Sequence, residues 1–262
     1  MQLIPISALM VLGILALFVE AQIKNLRFFG LSLSAGPHSN ILKFSSTLII
    51  PPGSPDSTVD DEVQSFWPGI QGIGLLQNVV TNGGSPGQWW QLPFYCCNPA
   101  VGLSKEVQGN LFLLLFHPGD KVTNTFALDK DTGKWNDTYI VRPSKASYAS
   151  GEKFLSYGVS FDQNAIANDR TTIGDHFTMA IMTIELQGNG TWNWGPVEWR
   201  DILLQINTTD TNWCTTGPTL NGGQKFTYQF SKPQISAANN TTSCYIANMT
   251  FVSPKVKTKL KL

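Results

Sequence analysis

Charge is scarce in this chain. Only 14% of its 262 residues are Asp, Glu, Lys or Arg, and 18 basic residues balance 18 acidic ones. Ordinary soluble domains carry about 25%. A nucleic-acid binder needs a basic footprint, so that class is excluded. Histidine is nearly absent: His38, His117 and His176 are widely separated and sit beside turns. No H-E-x-x-H, G-x-S-x-G or P-loop occurs, which removes the commonest metal, serine-nucleophile and nucleotide signatures. The acidic run Asp60-Asp61-Glu62 lacks the spaced ligands of a calcium loop and reads as a solvated turn. No cofactor or metal is therefore expected. Helical periodicity is missing too, and so is any second apolar run long enough to span a bilayer.

What is present begins with an address. Residues 3–19 are almost wholly apolar, and Val19 and Ala21 suit the −3 and −1 positions of a cleavage site. The expected organisation is a signal peptide over 1–21 and a single domain over 22–262. A retained anchor is the alternative, since no Lys or Arg precedes the run. Six N-x-Ser/Thr sequons, at Asn136, Asn189, Asn207, Asn239, Asn240 and Asn248, fit a secreted glycoprotein without stable membrane insertion. Four cysteines fit two disulfides. Adjacent Cys96 and Cys97 bond each other only in a strained geometry, so each is expected to take one of Cys214 and Cys244. All four then serve as disulfide partners.

Twenty-three Gly and 15 Pro punctuate short apolar or alternating runs. Strands are expected over 41–50, 74–80, 111–116, 124–128, 135–141, 177–186, 199–206, 225–230 and 244–252. Past Pro254, alternating Lys255, Lys257, Lys259 and Lys261 read as a solvated tail. No linker divides the chain. The fold class follows as all-β, with two packed antiparallel sheets in one domain, and a monomer is expected.

Two polar strand residues carry the chemistry that remains. On a strand, Ile181, Thr183, Glu185 and Gln187 share one face, while Ala180, Met182, Ile184 and Leu186 share the other and pack on the core. Glu185 is a candidate general base for activating water. Gln77, in Leu75-Leu76-Gln77-Asn78-Val79-Val80, is a candidate amide donor to an oxyanion. Each also admits a plainer role, as a solvated carboxylate or a structural hydrogen bond.

The order of short motifs resembles the eqolisins, fungal glutamic peptidases. Trp67-Pro68-Gly69-Ile70 is similar to a Trp-x-Gly-Ile stretch of that family, and Leu75-Leu76-Gln77 to the stretch holding its catalytic Gln. Trp89-Trp90-Gln91-Leu92-Pro93 resembles its Trp-rich strand, Gly119-Asp120 a Gly-Asp turn, and Thr132-Gly133 a hairpin. Glu185 stands five residues after Ala180, as the family's catalytic Glu follows an Ala, and Val197-Glu198-Trp199-Arg200-Asp201 resembles the closing strand. The match covers residues 41–252. It implies a concanavalin A-like, lectin-like jelly roll and an acid-active Gln77/Glu185 dyad. It also implies a substrate face of Trp67, Gln71, Trp89, Gln91 and Thr183. The family's acidic surround is replaced: Gln71 follows the first motif, Gly87 and Gln91 stand in the Trp-rich strand, and Ile181 follows Ala180.

Three functions follow. The first is a secreted glutamic-type acid endopeptidase acting on peptides. The second is a lectin-like module binding a glycan or other ligand, since the eight Trp cluster between Trp67 and Trp213. The third is a secretory-pathway enzyme whose repurposed pocket cyclises or isomerises a small molecule.

Overall fold

The computed structural model describes residues 25–52, 62–72, 74–82, 88–96, 105–106, 114–161 and 177–253. The expected signal peptide, the acidic run at Asp60-Asp61, Gly87, Cys97, His176, residues 111–113 of the expected strand at 111–116 and the lysine tail lie outside them.

Among the described residues the chain runs β1 (Arg27–Ser34), β2 (Ile41–Ile49), β3 (Glu62–Gln71), β4 (Leu75–Thr81), β5 (Trp89–Cys96), β6 (Lys105–Glu106), β7 (Leu114–Phe116), β8 (Lys121–Leu128), β9 (Trp135–Arg142), α1 (Lys145–Ala149), β10 (Leu155–Phe161), β11 (Met179–Gly188), β12 (Val197–Ile206), α2 (Asn212–Thr216), β13 (Thr219–Gly223), β14 (Thr227–Phe230), β15 (Gln234–Ala238) and β16 (Thr241–Val252). Two antiparallel sheets result. One has the order β13-β1-β11-β3-β4-β5-β6, with β7 also on β5; the other has β10-β9-β8-β2-β12-β16-β14, with β15 also on β16. The chain changes sheet repeatedly, so strands distant in sequence become neighbours, as β1 does with β11. This is the expected all-β, two-sheet sandwich.

Alternation builds the core. Leu31, Phe66, Leu76, Val80, Met182 and Ile184 from the first sheet meet Phe44, Leu48, Phe126, Trp199, Leu204 and Phe251 from the second. Each such side chain taken out of water contributes about 1.5–3 kcal/mol. The alternation read along 180–187 holds: Ala180, Met182, Ile184 and Leu186 are in this core.

Turn chemistry sets the connections. The β15–β16 hairpin closes on Asn239 and Asn240, both with φ near +50 to +57°. That is the left-handed pair a two-residue type I′ turn demands, and Asn tolerates it.

Three departures from the sequence reading have physical causes. β3 is not among the expected strands, and the Pro68-Gly69 pair inside it is unusual for a central strand. Proline removes a ladder donor, and the β3–β4 pairing indeed has a gap between Phe66↔Val80 and Gly69↔Gln77. On its other side β3 pairs without interruption to β11, which holds it in the sheet. β1, β6, β10, β13 and β15 were also missed, and β5 was expected only through the resemblance; β15 is exposed throughout and shows no apolar alternation. The disulfide expectation is corrected. Cys214 on α2 bonds Cys244 on β16, with Cα atoms 5.6 Å apart, so neither is available to Cys96 or Cys97. The helix lies beside the β15–β16 edge, and that docking puts two cysteines 30 positions apart within bonding range.

The eight Trp are all buried. Asn189, Asn207, Asn239, Asn240 and Asn248 are exposed; Asn136 is half-buried and accepts a hydrogen bond from Ser160 Oγ. Among the described residues no helix is long and apolar enough to cross a membrane.

Candidate functional site

The outer face of the first sheet, turned away from the other sheet, carries the candidate dyad. Pairing lays its residues out in rows. One row is Phe28, Glu185, Ser65, Thr81 and Trp90; the next holds Gly30, Thr183 and Trp67; the third holds Ile181, Gly69 and Gln77. Trp67, Leu75 and Ile181 form a small apolar cluster here, separate from the main core, with Phe28, Val79 and Met179 packed against it.

Glu185 is half-buried in this face, and both carboxylate oxygens are held. Trp67 Nε1 donates to Oε2 at 2.9 Å, and Gln187 Nε2 donates to Oε1 at 2.7 Å. Burial pushes its pKa above the ordinary value; the hydrogen bonds from Gln187 and Trp67 oppose that rise without cancelling it. An oriented, partly desolvated carboxylate of this kind suits proton transfer, because its pKa is drawn toward the working pH of a general base.

Two glycines make room. A Cβ on Gly30 lies 2.9 Å from Thr183 Oγ1, and a Cβ on Gly69 lies 2.9 Å from the Leu76 carbonyl and 3.2 Å from Gln77 Cβ. The backbone can therefore lie against Thr183 and Gln77 only without side chains at those positions.

The structure gathers some of the expected residues and not others. Trp67, Thr183 and Glu185 are together. Gln77 is buried on the same face but stands across β3 from Ile181, four residues along from Glu185. Strand spacing puts the two Cα atoms about 16 Å apart. Trp67 occupies the midpoint of that diagonal. Gln71 lies at the far end of β3, opposite Met179 and Leu75. Trp89 and Gln91 are on the other face, inside the sandwich. Trp89 packs edge-on against Phe66 with ring centroids 4.7 Å apart, and Gln91 Nε2 donates to Asn124 Oδ1 at 3.4 Å. The phase of β5 decides this: Trp90 pairs with Thr81 on the outer face, so its neighbours point inward.

One residue of this site was not assigned a role from sequence: Gln187. Its signal was the alternation that put it on the same face as Glu185, two residues on. His38 is exposed, and His117 Nε2 sits 3.6 Å from Glu152 Oε1 at the surface. Neither histidine approaches the face. Among the described residues no three His, Cys, Asp or Glu side chains are grouped to hold a metal ion.

No protein-family profile matches the chain, and no curated protein matches it. Among solved structures, the chain is similar to scytalido-glutamic peptidase bound to a peptide-based transition-state analogue. Identity is 15% over 85% of this chain and 99% of that one, with a TM-score of 0.46. It is also similar to SCP-B, a member of the eqolisin family of peptidases, in complex with the tripeptide Ala-Ile-His. There identity is 14% over 85% and 99% of the two chains, with a TM-score of 0.45.

Proposed function

We propose that this protein is a secreted acid hydrolase that cleaves peptide bonds with water activated at Glu185. The observation that carries the reading is the Glu185 carboxylate, fixed by Trp67 and Gln187 on the outer sheet face beside the Trp67, Leu75 and Ile181 cluster. Ionised Glu185 takes a proton from water as the water oxygen bonds the substrate carbonyl carbon. The carbonyl bond opens to an oxyanion. Gln77 donates its side-chain amide to that oxyanion. Glu185 then returns the proton to the leaving nitrogen, the C–N bond breaks, and acid and amine products leave.

In this arrangement the reacting carbonyl lies over Trp67, with the base on one side and the amide on the other. The separation of the two strand positions excludes a direct Gln77–Glu185 contact, so both side chains must lean toward a carbonyl held between them. The Cys214–Cys244 bond supports an oxidising compartment, and the exposed sequons are open to glycosylation. The lectin-like reading loses support, since no indole is exposed for stacking on a sugar.

The test is cleavage of a peptide library by the secreted protein between about pH 3 and pH 7, read by mass spectrometry. Glu185→Gln is expected to lower the rate at least about 10²-fold, the usual scale for a lost general base. Gln77→Leu is expected to cost about 10²–10³-fold, as for an oxyanion donor. Cleavage that survives Glu185→Gln overturns the reading.

A further inference from the structure

On the inner face of the same sheet, directly beneath the candidate site, lies a polar cluster in the middle of an apolar core. Asn78 on β4 and Gln91 on β5 come from one sheet; Ser46 on β2, Asn124 on β8 and Asp137 on β9 come from the other. All are 2% exposed or less. Two rungs cross the gap between sheets: Asn78 Nδ2 donates to Asp137 Oδ1 at 2.7 Å, and Gln91 Nε2 donates to Asn124 Oδ1 at 3.4 Å. The rungs are neighbours on one face, because Val80↔Gln91 lies two pairs beyond Asn78 on β4, and Asn124↔Tyr139 two pairs beyond Asp137 on β9. Ser46 stands opposite Asn124.

Several hydrogen-bonding groups in this cluster are unpaired among the described residues. Asn78 Oδ1, Gln91 Oε1 and Asp137 Oδ2 are buried acceptors without partners, whereas the unpartnered donors are Asn124 Nδ2 and the Ser46 hydroxyl. Such groups are costly to leave unsatisfied. A proton on Asp137 Oδ2 turns one of these acceptors into a donor and removes a buried, unpaired charge. Among the described residues no Lys, Arg or His side chain pairs with the carboxylate. The polar group that meets it from the facing sheet is Asn78 on β4, and Gln91, Asn124 and Ser46 form the neighbouring rung. The titratable groups near it are the phenols of Tyr139 on its own strand and Tyr157 on β10.

We propose that Asp137 is a buried proton site that clasps the two sheets. With Oδ2 protonated the carboxyl joins the polar cluster as a donor and the inter-sheet contact closes; with the proton lost the contact opens and the sandwich weakens. The protein is therefore built to be most stable in acid. Burial holds the Asp137 pKa up to about 7 against an ordinary 3.8, with the Asn78 hydrogen bond opposing that rise. A folded-state pKa above the unfolded one fixes the sign. Below about pH 4 both states carry the proton. Between about pH 4 and pH 7 only the folded state keeps it, so the folding equilibrium weakens by up to about tenfold per pH unit. Above that window the loss is complete.

The experiment is urea unfolding of the full secreted protein from pH 3 to pH 8. Glu185 is also raised and adds a slope of the same sign, so Asp137→Asn is compared in the natural and the Glu185→Gln backgrounds. Asn supplies a donor where the protonated acid had one, without a charge to gain. In both backgrounds it is expected to flatten the fall in unfolding midpoint between about pH 4 and pH 7. The carboxyl carbon of Asp137, followed by NMR in the natural protein, is expected to titrate near neutrality; this measurement decides the matter if the variant does not fold. An unchanged pH slope in Asp137→Asn overturns the proposal, as does a carboxyl that titrates in the ordinary aspartate range.

Discussion

Glu185 and Asp137 lie on opposite sides of one layer of sheet, and both are carboxylates whose pKa burial raises. Their surroundings differ in two respects. Glu185 has both oxygens hydrogen-bonded and keeps some contact with solvent, whereas Asp137 has one oxygen bonded, one without a partner, and no access. Desolvation alone therefore does not decide what a carboxylate does. Where donors hold both oxygens near a surface, the group is oriented for proton exchange. Where one oxygen is left unpartnered in a closed core, the group is driven to hold its proton. β4 joins the two environments, since Gln77 faces outward and the next residue, Asn78, bonds Asp137 inward.

The comparison breaks most sharply at Asn78. Asn78→Leu removes the one donor to Asp137 Oδ1 among the described residues and should cost about 3 kcal/mol or more near neutral pH, the scale of an uncompensated buried charge. The cost should shrink in acid, where the side chain is neutral; chemical denaturation at two pH values reads the difference. Gly69→Ala comes next. Its new Cβ meets the Leu76 carbonyl, which is backbone and cannot swing away, so about 1–3 kcal/mol of stability should be lost. Gln77 should shift with it, so peptide cleavage should fall more than stability predicts.

Trp67→Phe keeps an aromatic side chain in place but removes the indole N–H to Glu185. It should cost about 1–2 kcal/mol and raise the Glu185 pKa further, because a bond favouring the charged form is gone. The acid limb of the pH–rate profile should then move to higher pH while its basic limb stays, a shift that steady-state kinetics detects. Gln187→Leu should shift the same limb in the same direction and at least as far, since its hydrogen bond opposes the rise more than that of Trp67, with a smaller cost in stability. A variant of Trp67 or Gln187 that left the limb in place would show that these donors do not tune the carboxylate.

Much of the fold was legible because alternation is a local property. The strand 177–186 was read with its core face and its polar face correctly, and β11 displays that pattern. Edges and interrupted strands were not legible. β3 hides behind Pro68-Gly69, and only its unbroken pairing with β11 makes it a strand. At the site, the Glu185 face was readable, but its contact with Trp67 spans 118 positions and no spacing rule reaches that far. Trp89 and Gln91 were placed on the substrate face by motif order, and a one-residue phase in β5 sends them inward instead. Asp137 had a signal that went unused: it falls on the apolar phase of Trp135, Tyr139 and Val141, where a carboxylate must be buried.

By itself the sequence determined the class of molecule. Few charges, frequent turns and period-two runs leave no solution but packed sheets, and they fix which side chains of a strand share a face. The tertiary structure decided the partners. Cys214 with Cys244, Trp67 with Glu185 and Asn78 with Asp137 each join strands or elements far apart in the chain. Such pairings depend on sheet order and register, which are set by the packing of the whole core rather than by neighbours in sequence.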